Sequence, residues 1–324
     1  MTPAEHWALW EADPRATPFQ SPAWIDPWWQ VFGGPERLDI EVRDGDRLVA
    51  ALPAQVWHDG DTRRLIPAPP GQSDYSDALI DPAVPDAAAR LWHAIGATAD
   101  RWDEVLLPDL RPGSPLLRPP PPGWTVADAP GEVCPVLTLP DGPLLPSLSK
   151  SQRRKVVHDR HRAVAAGGVE EGLATPEQVP ALLDDLFALH AARWQALGEP
   201  GVLGDARMQG FLRLAARELA DRGLLRIAYA NFRVRNVAVL FALADRSRTH
   251  SYALGTAADV PGQSFGSMAF ATLIEHAAAS GDAEFHFLRG EESYKYQWGA
   301  LPTATVRRTA KGPIRDESCF PRDG

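Results

Sequence analysis

Three stretches of the sequence group residue types that suit chemistry. The run PGQSFGSMAF, residues 261–270, lies between a predicted strand and a predicted helix. Its glycines let the backbone turn tightly, and the N–H groups at a helix start, added to the helix dipole, make an anion site suited to a pyrophosphate. The same letters also serve a purely structural helix start. The run EFHFLRGEESYKYQWGA, residues 284–300, sets Arg289, Glu291, Glu292, Tyr294, Lys295 and Trp298 just past a strand end. Open sheets place their sites there, although a surface turn followed by a charged helix has the same composition. The run KSQRRKVVHDRHR, residues 150–162, carries six Lys/Arg against one Asp. It fits an anionic substrate, a cofactor or RNA phosphate, an anionic membrane surface, or a solvated helix face paired with acids.

Metal chemistry has little to build on. His158 and His161 stand at i, i+3 with no third ligand close in sequence, and the two cysteines, Cys134 and Cys319, lie in different halves of the chain. Neither a cysteine-based zinc site nor a disulfide framework is expected. Trp24, Trp28 and Trp29, among 11 tryptophans, suit either core packing or the wall of a groove.

The elements that must position these groups can be read from turn and periodicity signals. Residues 38–43 and 47–54 flank Asp44-Gly45, a hairpin signal, 87–101 has helical spacing, and 104–107 reads as a short buried strand. Prolines 108, 112, 115, 119, 120, 121 and 122 then crowd the chain, and residues 111–146 read as an extended connector. This gives domains at 1–110 and 147–324. Beyond the connector, helices are expected from Ser147 or Ser149 to about 166, over 177–197 and over 205–222. Strands at 224–230, 236–244 and 249–254 form a predicted meander, followed by a helix at 265–280 and strands at 284–288 and 302–309. Helices followed by strands, with a βαβ-like return, indicate an α+β fold with a mixed, mostly antiparallel sheet. Asp44 to Ala50 and Arg233 to Val239 echo each other as turns feeding apolar strands, which fits either a duplicated domain or two similar hairpins.

With this order in place, residues 252–300 resemble the C-terminal core of the FemAB/CelD-like acyltransferases, a branch of the GNAT N-acetyltransferase superfamily. In that branch a Pro-Gly loop and helix follow a strand, and the next strand leads into an R-G-x-E-x-Y-K-x-x-W-G-like segment. Arg289-Gly290-Glu291, Tyr294-Lys295 and Trp298-Gly299 carry the likeness, His190 to Trp194 is similar to the branch's H-x-x-R-W helix segment, and Gly71 to Asp77 is similar to its G-x-x-S-D-Y-x-D loop. The resemblance implies two tandem GNAT-like domains. It also implies acyl-CoA, such as acetyl-CoA, as co-substrate at Gly262, Gln263, Ser264, Gly266 and Ser267, with no metal. Met268 occupies the third fixed position of the Q/R-x-x-G-x-G/A loop, where a side chain would stand in the way of phosphate. The implied acceptor is an amine, on an amino sugar or another cell-envelope or exopolysaccharide precursor, contacted by Arg193, Trp194, Asp74, Tyr75, Arg289 and Trp298. An amine nucleophile needs a base, for which His250, Tyr252, His190 and Glu291 are the expected groups, with Lys295 beside them. Backbone N–H groups around Tyr252 to Gly255 would receive the developing oxyanion, and Tyr294 would protonate the leaving thiolate. Two other readings stay open: a tRNA-dependent aminoacyl transferase using residues 150–162 as its RNA contact, and a binding protein that keeps the fold without catalysis.

Composition narrows the classes further. The 324 residues carry a net charge of −9, which argues against indiscriminate nucleic-acid binding over the whole surface. The longest apolar stretch, Val237 to Ala244, falls well short of the roughly 20 residues that span a bilayer, and the N-terminus lacks a secretory pattern. A cytoplasmic location is the expectation.

Overall fold

Side-chain chemistry starts the first helix. Thr2 accepts a hydrogen bond from the Glu5 N–H, the Glu5 carboxylate accepts one from the Thr2 N–H, and Pro3 takes the first helical position, so α1 runs Pro3–Ala12. After α2 (Pro22–Phe32) come two hairpins, β1 (Ile40–Asp44) with β2 (Arg47–Leu52) and β3 (Ala54–Asp59) with β4 (Thr62–Pro67). Each turns through a glycine, Gly45 or Gly60, at a φ of 59° that side-chain-bearing residues resist. The chain continues through β5 (Leu79–Ile80), α3 (Ala87–Gly96), β6 (Glu104–Leu110), β7 (Thr125–Val133), β8 (Val136–Thr138), α4 (Leu144–Ser147) and α5 (Lys150–Ala165). It then forms β9 (Val169–Leu173), α6 (Val179–Ala196), α7 (Ala206–Asp221), β10 (Leu225–Phe232), β11 (Arg235–Ala244) and β12 (Arg248–Thr256). Last come α8 (Phe265–Ala279), β13 (Glu284–His286), α9 (Ser293–Gln297) and β14 (Ala304–Lys311). This computed structural model describes all residues except 35, 197, 200, 258, 261–263 and 313–324.

The chain divides into two units. Residues 1–25, 33–132 and 304–324 form the first, with a three-stranded sheet in the order β1-β2-β5 and a five-stranded sheet in the order β3-β4-β6-β14-β7. Its core gathers Val49, Leu52, Leu65, Leu91, Trp92 and Val105, all nearly inaccessible. Residues 26–32 and 133–303 form the second, around one six-stranded sheet in the order β8-β13-β12-β11-β10-β9. Every pairing in that sheet is antiparallel except β12 with β13. β11 is buried on both faces because alternate residues serve different helices. Ala238, Leu240 and Ala242 join the cluster built with α8 and α5, and Gly255 on β12 meets α6 across the other face. This is the mixed, mostly antiparallel α+β architecture read from the sequence.

Two expectations differ from the structure. Residues 111–146 are not a plain connector, since they contain β7 and β8. Both are edge strands, where the missing N–H of a proline such as Pro130 costs no ladder bond. The boundary at 147 also shifts, because β14 pairs with β6 and belongs to the first unit. Helix and strand positions from 150 to 286 match the expected spans to within a few residues except for β9, which was not expected, and α3 stops at Gly96 rather than at 101.

Candidate functional site

The site is set up by a mismatch in strand length. β13 pairs with β12 only over Arg248–His250, whereas β12 runs on to Thr256. Among the described residues, β12 beyond His250 therefore has β11 on one side and no strand on the other. A bulge falls at the same place. Phe241 opposes Ala253 and Ala242 opposes Ser251, which leaves Tyr252 as the extra residue.

α8 starts beside that open edge. Gly266 allows the approach: a Cβ there would stand 3.0 Å from Thr256 Cγ2 and 3.3 Å from Leu254 Cδ2. Ser264 at the N-cap makes no side-chain bond to the first turn, and that turn holds no acidic residue. Its N–H groups and the positive end of the dipole are thus open to an anion. A cavity of about 350 Å³ lies there, lined among others by Ser264, Gly266, Ser267, Arg193, Tyr294 and Trp298. Lys155 of α5 reaches the same point, its Nζ donating to Ser267 Oγ at 3.1 Å and to Asp159 at 2.9 Å. Gln152 is a further wall residue, and no Asp, Glu or His lines the cavity.

Met268 does not obstruct the anion site. One helical step past the first turn, it is 1% exposed and packs into the core cluster of the second unit. Gly262 and Gln263 lie outside the described residues.

The Arg289 to Gly299 segment is built around Lys295. Its ammonium is buried and donates to the carbonyls of Leu288, Arg289 and Gly290 at 3.2, 2.7 and 3.0 Å. It also pairs with Glu292 at 3.0 Å, a carboxylate that the sequence reading had passed over in favour of Glu291. Leu288 at a φ of 59° and Gly290 at 103° show how sharply this loop turns, so Lys295 serves as its internal clamp. The clamp sets Tyr294 at the cavity, against the rings of Phe270 and Phe287 at 5.4 and 6.4 Å. Burial, with help from the Glu292 charge, raises the Tyr294 pKa, so its hydroxyl keeps its proton at neutral pH. Trp298 is buried and forms a wall, while Glu291 is exposed and accepts from the Tyr296 hydroxyl at 3.2 Å.

The groups expected to act as bases stay off the lining. His250 is fully buried and hydrogen-bonded through Nε2 to Asp245 at 2.9 Å, with the His286 ring 4.7 Å away. Burial of Asp245 works against its charge, but the His250 hydrogen bond and the nearby Arg248 carry its pKa well below the carboxylate range. His190 Nε2 accepts from the Trp194 indole N–H at 2.9 Å, which leaves the ring proton on Nδ1, a buried atom without a partner among the described residues. Burial and then the Arg193 charge lower the His190 pKa, so the ring is neutral and its accepting nitrogen is occupied. Tyr252 is half-buried with its ring edge toward Phe241. Asp74 and Tyr75 belong to the first unit, where Tyr75 is buried beside Phe19 and under the Arg111 guanidinium. Of the residues expected at the site, Ser264, Gly266, Ser267, Arg193, Tyr294 and Trp298 line the cavity, and the reading did not single out Lys155 and Gln152, which reach it only when α5 packs beside α8, as in the Lys155–Ser267 contact across 112 positions. The run of cations at 150–162 was the available signal.

A larger cavity, about 740 Å³, sits at the other end of α8; of its three acids Glu275 pairs with Arg160, and Asp282 with Arg226 and Thr249, while Asp141 is exposed. Among the described residues no group of three or more His, Cys, Asp and Glu is placed to hold a metal, and no helix is long and apolar enough to cross a membrane.

The open strand edge, the uncapped helix and the cavity between them all lie within or beside residues 150–296, which match the family described as an acetyltransferase (GNAT) domain. That match covers this part of the chain, and the fold of the chain as a whole is FemX-like. It superposes on the crystal structure of FemX with a TM-score of 0.68 at 11% identity, over 95% of this chain and 96% of that one. It is also similar in fold to L-PGS from Bacillus licheniformis, with a TM-score of 0.60 at 11% identity over 98% and 94% of the two chains. A putative lysylphosphatidylglycerol synthetase domain from Agrobacterium fabrum gives 0.58 at 12% identity over 95% and 90%. No curated protein matches the chain in sequence.

Proposed function

We propose that the protein transfers an acyl group from acyl-CoA to an amine acceptor, with the donor seated between the β12 edge and the start of α8. The observation that carries this is the anion site itself: Lys155 on Ser267 Oγ, an uncapped helix start, Arg193 opposite, and no acid in the lining. Pyrophosphate suits such a site through charge-assisted hydrogen bonds. The thioester would lie along β12 with its carbonyl toward main-chain N–H groups of residues 252–256. The amine nitrogen bonds to the carbonyl carbon, the C–S bond breaks, and the departing thiolate takes the Tyr294 proton. The proton shed by the amine then restores the tyrosine through solvent. The family resemblance favours an amino sugar or another cell-envelope or exopolysaccharide precursor as acceptor.

Calorimetric titration with acetyl-CoA tests the reading. Saturable binding is expected, weakened on the order of tenfold or more in Ser267→Asp, which suits a helix start yet places a negative charge at the phosphate. Absence of binding by the native protein would overturn it. One observation supports a second reading. Lys150, Arg153, Arg154 and Arg162 are exposed on α5 and make no ion pair among the described residues, which suits a long polyanion such as a charged tRNA. Under that reading the native protein ignores acetyl-CoA and binds tRNA with a steep salt dependence that charge reversal at Arg153 and Arg154 removes.

A further inference from the structure

A second cavity, about 610 Å³, lies on the other side of α9 and shares Gln152, Lys155, Gln297 and Trp298 with the first. It opens at the start of α5, where Ser149 is the N-cap and Ser151 Oγ lies 3.1 Å from Ser149 Oγ. Lys155 pairs with Ser267 and Arg160 with Glu275, eight positions further along α8, so α5 and α8 run in the same direction. Their positive ends therefore face the same end of the sheet. No Asp or Glu lines either cavity, and the first turn of α5 contains no acid. Gln152 adds an independent sign of a ligand. It is 5% exposed, lines both cavities, and its carboxamide makes no hydrogen bond among the described residues. The side chain is held almost wholly inside the protein while its amide faces the two cavities unengaged, which leaves a donor and an acceptor for a polar ligand there.

We infer that the second cavity binds a second phosphate of the donor, the 3′-phosphate on the adenosine of CoA, at the start of α5 with Gln152 and Lys155. The inference rests on the acyl-CoA reading and extends it. Two anion sites joined by one lysine suit a ligand whose phosphates are separated, and CoA carries a pyrophosphate and a distinct ribose phosphate. An amine acceptor in this cavity would find no acid to pair with, whereas a phosphate would add to the Asp159 pairing of Lys155 and meet the positive ends of two helices.

Titration with CoA and with dephospho-CoA tests this. Native protein is expected to bind CoA on the order of tenfold tighter, the worth of about one charge-assisted hydrogen bond. Ser147→Glu, at an exposed position lining only the second cavity, should erase that difference. Equal binding of the two ligands by the native protein overturns the inference and leaves the donor reading intact. A preference that survives Ser147→Glu also overturns it. If neither ligand binds, the donor reading itself fails and the inference with it.

Discussion

At the residue scale, two neighbours in the sequence have opposite tasks. Tyr294 faces the cavity with a pKa raised by burial, while Lys295 turns inward and spends its ammonium on three carbonyls and Glu292. Charge alone would have marked the lysine as the reactive one. Its burial and four partners instead make it the group that fixes the tyrosine. Tyr294→Phe is accordingly expected to lower kcat by roughly 10²-fold with KM for acyl-CoA nearly unchanged, since only proton transfer is lost. Steady-state kinetics with each acyl-CoA checks this, and an unaltered kcat would remove Tyr294 from the proton path. His250, by contrast, has the chemistry of a base but sits at 0% exposure against Asp245, where it secures the start of β12.

At the scale of elements, the site depends on how closely β12 is approached from both faces. Gly266 brings α8 in from one side, and Gly255 brings α6 in from the other. A Cβ at Gly255 would lie 2.8 Å from the Leu186 carbonyl oxygen and 2.9 Å from Leu189 Cβ. Gly255→Ala must therefore push α6 away, at a cost of about 1–3 kcal/mol, and donor binding should weaken along with the fall in denaturation midpoint. An unchanged midpoint would show that the helix yields freely. Much of this was legible in the letters. Runs rich in Val, Leu, Phe and Tyr marked β10, β11 and β12, and of the two serines that could begin α5 it is Ser149 that caps it. The strand-length mismatch and the Tyr252 bulge were not legible, because both are set by register with residues far along the chain. Lys155 was visible as a charge, but its alignment with Ser267 arises only when two helices pack side by side.

At the scale of the whole molecule, β14 crosses the sequence division. It pairs with β6 and β7, and its Arg308, 4% exposed, donates to the carbonyls of Leu116, Leu117 and Arg118 and pairs with Asp128. Ending the chain at Thr303 should leave those acceptors and two strand edges open. In hydrogen exchange the β6 amides would then lose protection while those of β10–β12 keep it. Retained protection in β6 would show that the first unit closes without its last strand. Residues 26–32 make the converse exchange, since they belong to the second unit, where Phe32 meets Phe211 and the Arg207 guanidinium. Order of synthesis gives this interleaving a consequence. A chain is made from its N-terminus at about 5–20 residues per second, so the segments that begin the first unit emerge early yet wait for the final strand. The strands β1 to β6 are thus made before any of residues 133–303, and the edge of β6 that takes β14 stays unpaired while the whole of that stretch is added.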